Sequence, residues 1–360
     1  NEDAMLTGFI EHLRECDPDM LIAHAGGWAD LPKLHDRLGA LRHDMSPLGI
    51  FLPPKKDGSG FKTTAQPIKG RLVFDTAAMA EEGSGFEGVW QKSGRGKAQQ
   101  RKLNWFATEL GLGAKLTDEI EGMTVHNGWK EYYDDFVDYC LVDTTLLRDI
   151  DEKLHCTDFH IALQQVAGVQ FGSTHNVSRY FRGLIGRKTN LKAPTSYIEE
   201  RAPLQAAWVM KTVPGRHENV ALVDFASLYP NIILSANLCH TTLTDKPGPN
   251  TLTLNIPPKM DDDGTYIPGT GGTFHWRQDK EGILPKVVKD MLALRKHYKG
   301  LMKAATDPDE VLGYDMLQMA VKVSVNAVYG MVGSRKVRGQ WSSYEIAQSI
   351  TYLGRESISM

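Results

Sequence analysis

Two long stretches, Leu284 to about Ala305 and Asp309 to Tyr329, repeat their apolar residues at helical spacing and are separated only by Thr306, Asp307 and Pro308. A connection that short makes two helices double back beside each other, so the spacing predicts an antiparallel helical hairpin. Asp307 is placed to cap the second helix and Pro308 to open it, since a first-turn proline lacks an N–H that would go unpaired anyway.

At 3.6 residues per turn, Asp315, Gln318, Lys322, Asn326 and Tyr329 fall in one narrow sector, with Leu317, Ala320, Val321, Ser324 and Val328 opposite. One face packs and the other presents polar groups. Lys322 alone fits a solvated face. Tyr329 and Gly330 are expected to close the helix, which makes KVSVNAVYG a unit. On the first helix Arg295 and Lys299 stand one turn apart, where both can meet one polyanion. Arginine offers a planar fork for phosphate oxygens and lysine a compact charge.

Upstream, Asn219 to Val223 is an apolar run ending at Asp224, which reads as a buried strand delivering a carboxylate. Such an aspartate binds a hard cation or, equally, caps the helix that follows. The Gly- and Pro-rich stretch from Pro247 to Gly272 reads as a loop excursion or hairpin. Before about residue 150, apolar runs such as Met20 to Ala23 and Arg71 to Phe74 alternate with amphipathic patterns, which is α/β in character. PPKKDGSGFKTTAQP and EEGSGFEGVWQKSGRGKAQQRK read as exposed loops, the second gathering Lys92, Arg95, Lys97, Arg101 and Lys102. GSGFKT lacks the glycine spacing of a phosphate-binding loop.

A net charge of -3 lacks the basic signature of a small nucleic-acid binder, although a large enzyme can confine its cations to a channel. The 41% apolar and 24% charged composition over 360 residues gives enough core for two or three domains. Cys16, Cys140, Cys156 and Cys239 are never paired as C-x-x-C, which argues against a zinc or disulfide framework and fits a reducing compartment. No apolar run is long enough to span a bilayer.

KVSVNAVYG resembles the K-x-x-x-N-S-x-Y-G motif of family B DNA polymerases, with Ala327 for the serine. Arg295 and Lys299 match the family's R-x-x-x-K, and Gly282, Leu284 and Pro285 its G-x-L-P lead-in. DFASLYPNII resembles the first polymerase carboxylate motif, D-x-x-S-L-Y-P-S-I-I, with Asn231 for a serine. YCLVD places Tyr139 and Asp143 as the Y-x-x-x-D of the third exonuclease motif, and DPDMLIAHAGGWADLP resembles the second, with Asp30 as ligand and Ala25 and Ala29 as departures. KLNWFATELGLGAK, FGSTHNVSRYFRGL and RGQWSSYEIAQSITYLGRESI resemble the intervening segments, so the likeness runs nearly the whole chain in order.

The resemblance implies an α/β and α+β multidomain architecture: an RNase H-like exonuclease domain, then a polymerase palm carrying a two-helix antiparallel fingers domain. The expected boundaries are 1–150 for a partial exonuclease, 151–215 for a connecting segment, 216–280 for the first part of the palm, 281–330 for the fingers and 331–360 for the return to the palm. It further implies template-directed DNA synthesis from deoxynucleoside triphosphates with 3′–5′ proofreading, using two Mg²⁺ or Mn²⁺ ions per complete site. Asp224, Asp30 and Asp143 would hold metal, and Tyr139 would orient the attacking water. Ser227, Leu228, Tyr229, Arg295, Lys299, Lys322, Asn326 and Tyr329 would bind the nucleotide, with Tyr229 under the sugar rejecting a ribose.

Primer-template DNA is the implied partner, and a processivity factor a further one. The place of action would be inside a cell at the site of DNA replication, in host nucleus or cytoplasm for a viral enzyme. No D-x-E precedes the segment that carries Asp30, since the triplet stands far downstream at Asp279 to Glu281; Y-G-D-T-D occurs nowhere inside, and the chain opens at Asn1 and closes at Met360 within helical patterns. An inactive fragment of a polymerase is therefore expected. The competing reading is a non-catalytic DNA-binding replication scaffold, which leaves a retained triphosphate pocket without a use.

Overall fold

A computed structural model of the chain describes residues 1–24, 30–51, 55–57, 60–62, 68–77, 90, 99–100, 102–113, 124, 127–171, 174, 182–186, 204, 213–261, 263–333 and 341–359. Ala25, Ala29, Lys92, Arg95, Lys97 and Arg101 lie outside them. The chain divides into two compact units, one of Asn1–Gln164 with Val169–Asn176 and the other of Gln165–Gly168 with Val177–Met360.

In the first unit, α1 (Glu2–Cys16) starts where the Asn1 side chain accepts a hydrogen bond from the Ala4 amide at 2.9 Å. β1 (Met20–Ala23) pairs in parallel with β6 (Leu72–Asp75), Met20 opposite Leu72 through Ala23 opposite Asp75. Parallel neighbours need a long crossover, and between them lie α2 (Asp30–Ala40), β2 (Ile50–Phe51), β3 (Lys55–Asp57), β4 (Gly60–Lys62) and β5 (Ile68–Lys69). β3 and β4 pair antiparallel within a stretch the sequence reads as loop. α3 (Leu103–Leu110), α4 (Gly128–Glu131), α5 (Tyr133–Leu154) and α6 (Cys156–Ala167) follow, and α5 packs against both α3 and β1. Phe74 of β6, Phe106 and Phe159 are fully buried.

The second unit joins α7 (Leu228–Ser235) to a small sheet of β7 (Leu243–Thr244), β8 (Thr251–Ile256) and β9 (Gly272–Arg277), ordered β7-β9-β8. The expected hairpin in the Pro247–Gly272 stretch is present, with Thr251 opposite Arg277 and Ile256 opposite Gly272. Trp276 points from β9 into the core and is fully buried, a burial that stabilises by roughly 1.5–3 kcal/mol for a large apolar side chain. α8 (Ile283–Ala304) and α9 (Pro308–Val332) form the predicted antiparallel hairpin, and α10 (Tyr344–Ser359) packs on α7 and α9.

The Asp307 carboxylate accepts from the Asp309 amide at 3.0 Å and Pro308 is the first helical residue, as the sequence indicates. Gly330 does not end α9. The helix runs on to Val332 because Met331 and Val332 are buried against the core, and Gly333 supplies the cap.

Candidate functional site

The hairpin's polar and apolar faces separate largely as the spacing demands. Ala320, Val321, Ser324 and Val328 are buried, whereas Lys322 and Asn326 are exposed and Tyr329 is half-buried. Gln318 departs from this pattern, being only 6% exposed. Its amide nitrogen donates to the Asp315 carboxylate at 2.8 Å, and its amide oxygen accepts from Arg295 Nε at 3.4 Å across the two helices. Arg295 in turn lines a concavity of about 420 Å³ with Leu292, Lys296, Lys299, Gly300 and Lys303. Four cations on one helix side with no carboxylate in the lining make a seat for a polyanion.

The second cluster is aromatic. Tyr229 of α7 and Tyr329 of α9 have ring centroids 4.6 Å apart, tilted by 47°. Burial pushes the Tyr329 hydroxyl above its usual range and Tyr229 adds to the shift, while Arg355 of α10 opposes it. Burial likewise draws Arg355 below the ordinary guanidinium range, against the pull of Glu356 and the tyrosines. Behind Tyr229 sits Gly354, where an added Cβ would come within 3.2 Å of Tyr229 Cε1. Glycine in mid-helix costs about 1 kcal/mol relative to alanine, and here it gives the ring its depth.

The loop before α7 differs from expectation. Residues 219–223 form no strand, and Val220, Leu222 and Val223 are 73%, 95% and 86% exposed. An apolar run becomes a buried strand only beside a partner strand, and none lies beside it among the described residues. Asp224 is exposed in this segment, and the helix N-cap is Ser227, not Asp224. Ser227 itself takes a left-handed conformation at φ 51°. Asn231, where the family motif has serine, donates from its side chain to the Ala226 carbonyl at 2.7 Å and so holds the turn that carries Ser227. Leu228 is half-buried and packs against the unit's core.

One residue that the sequence reading missed fixes where α8 begins. Asn237, 8% exposed, donates to the Arg277 and Lys280 carbonyls at 2.6 and 2.8 Å and accepts from the Gly282 amide at 2.8 Å. It takes a left-handed backbone at φ 53°, which Asn tolerates better than most residues.

In the first unit, Asp30 is the exposed first residue of α2. Tyr139 and Asp143 lie one turn apart on α5 and are both half-buried. A divalent cation wants several oxygens. Among the described residues no group of three His, Cys, Asp or Glu converges, so Asp224, Asp30 and Asp143 do not by themselves make a complete metal site there. No described helix is long and apolar enough to cross a membrane.

Comparison with known proteins adds to this geometry. The DNA polymerase family B model matches residues 173–360. The DNA polymerase delta catalytic subunit of Schizosaccharomyces pombe is 29% identical over 380 residues, covering 99% of this chain and 33% of the relative. That of Drosophila melanogaster is 30% identical over 383 residues, covering 100% and 33%. The chain therefore spans about a third of the length of the curated relatives it matches. A family B DNA polymerase from Pyrobaculum calidifontis shares the fold, with a TM-score of 0.72 at 24% identity over 98% of this chain and 44% of that one.

Proposed function

We propose, because this chain belongs to DNA polymerase family B, that it forms the nucleotide-binding and partial proofreading portion of an enzyme that copies a DNA template from deoxynucleoside triphosphates. The observation that carries this reading is the cationic concavity beside Arg295 and Lys299 on a hairpin whose other helix bears Lys322 and Asn326.

In this reading Arg295, Lys299 and Lys322 neutralise the triphosphate before the chain-extending displacement, which lowers the cost of the charge that develops on the leaving phosphates. Ser227 and Leu228 line the pocket, and Asn326 orients the nucleotide. Tyr229, braced by Tyr329 and seated against Gly354, excludes a ribose hydroxyl by bulk. Asp224 would supply one carboxylate to a metal pair. Asp30 and Asp143 would serve the exonuclease in the same way, with Tyr139 orienting water.

Residues 1–150 would then be a partial RNase H-like exonuclease, 151–215 a connecting segment, 216–280 the first part of the palm, 281–330 the fingers and 331–360 the return to the palm. Primer-template DNA, a processivity factor and a place in the replication machinery belong to the whole enzyme. Calorimetric titration of dATP into this chain tests the reading. Saturable binding that weakens about tenfold in Arg295→Ala or Lys322→Ala, the value of one charge-assisted contact, supports it; absence of saturable binding overturns it.

A further inference from the structure

We infer that Gln318 is a positioning residue that holds Arg295 in its phosphate-binding pose without neutralising it. This deepens the reading above and rests on it. An arginine carries its charge on a long stem with many rotamers, so freezing the stem in advance removes an entropy cost from binding. Among the described residues, the side chain that accepts from Arg295 is Gln318, through Nε at 3.4 Å. A guanidinium has five N–H donors, and engaging Nε leaves the four terminal ones for a ligand.

The chemistry of the partner matters as much as its position. A carboxylate at 318 would pair with the guanidinium and compete with phosphate for its charge; the neutral amide cannot. The amide's orientation is also determined. Asp315, a carboxylate that accepts only, takes the Gln318 NH₂ at 2.8 Å, so the carbonyl end must face Arg295. Asp315 thus acts one amide length away from the cation, orienting its holder. Gln318 is 6% exposed, against the exposed Lys322 and Asn326 further along the same sector of α9. The buried amide joins Arg295 of one helix to Asp315 of the other.

Inorganic tripolyphosphate titrated into the intact chain tests this, with Gln318→Leu, Gln318→Glu, Arg295→Ala, Lys299→Ala and the double variant Gln318→Leu with Arg295→Ala. Melting curves confirm that each variant is folded. Loss of one hydrogen bond to a charged group predicts weakening of about tenfold in Gln318→Leu, and Gln318→Glu should be at least as weak. The double variant should bind no worse than Arg295→Ala alone, because a residue that acts through another has nothing left to do once that residue is gone.

Equal weakening by Gln318→Leu in the presence and absence of Arg295 would show a general structural role and overturn the inference. So would unchanged binding in Gln318→Leu. If Arg295→Ala binds normally while Lys299→Ala does not, the inference falls and the triphosphate reading stands. If neither cation variant weakens binding, both fall.

Discussion

Asn237→Asp keeps the size and the left-handed tolerance of the native side chain and changes only hydrogen-bond polarity. One carboxylate oxygen can still accept from the Gly282 amide, but the atom that donated to the Arg277 and Lys280 carbonyls at 2.6 and 2.8 Å becomes an acceptor facing acceptors. Each lost bond with a stranded buried partner costs about 1–3 kcal/mol, so the pair costs roughly 3 kcal/mol at neutral pH. In a unit of this size that is a fall of about 6–12 °C in the melting midpoint.

The penalty also carries a pH signature. Burial and two facing carbonyls raise the folded-state pKa of the introduced carboxyl, and its protonated form can donate to one of them. A raised folded pKa means that the folded state holds more protons, so the variant's stability falls as pH rises through that value and is greatest near pH 4. Urea denaturation of both proteins at several pH values between about 4 and 8 measures the difference. A gap within about 0.5 kcal/mol at pH 7, the scatter of ordinary surface substitutions, would refute the clamp. So would a gap that does not shrink toward acid.

Three further outcomes follow from the same geometry. Gly354→Ala should leave α10 folded, yet it places a methyl 3.2 Å from Tyr229 Cε1; the advantage of dATP over ATP in binding should drop by about threefold, roughly 0.65 kcal/mol, and an unchanged ratio counts against the ring's seat as a determinant. Cys16 and Cys140 are exposed while Cys156 and Cys239 are buried, and burial pushes the Cys156 thiol far above its usual range. A maleimide should therefore label Cys16 and Cys140 in the native chain and all four cysteines only in denaturant, as mass spectrometry of peptides would show. Removing the cap in Asp307→Ala should cost about 1 kcal/mol and speed amide exchange in the first turn of α9; unchanged exchange there would mean that the cap contributes nothing.

The hairpin was legible because a three-residue connection and two clean periodicities leave one arrangement, and its caps are residues with local chemistry. Arg295 and Lys299 were legible for the same reason, since positions one turn apart share a face. The run ending at Asp224 was misread because apolar content reports a demand for burial and not whether a neighbouring strand exists to meet it. Asn237 was invisible because the carbonyls it serves are distant in sequence. Gln318 was placed correctly in its sector, but only packing across from α8 shows that it is buried while Lys322 is not. Gly354 stands in an otherwise ordinary helical pattern, and its meaning depends on a tyrosine from another helix.

The burial of α8 is graded along its length: Leu284, Pro285, Val287, Val288 and Met291 are buried, and beyond Met291 no residue of the helix is. The helix is gripped fully at its base, while further out Leu292, Leu294 and Tyr298 only half-bury against the core. Arg295 stands about 18 Å from Ile283 at roughly 1.5 Å per residue, so a tilt of about 5° at the grip carries its charge through about 1.6 Å. That distance is comparable to the difference between a hydrogen bond made and one lost. The stiffness of the joint where Asn237 meets Gly282 therefore joins the Gln318 contact in setting how sharply the cations can be aimed.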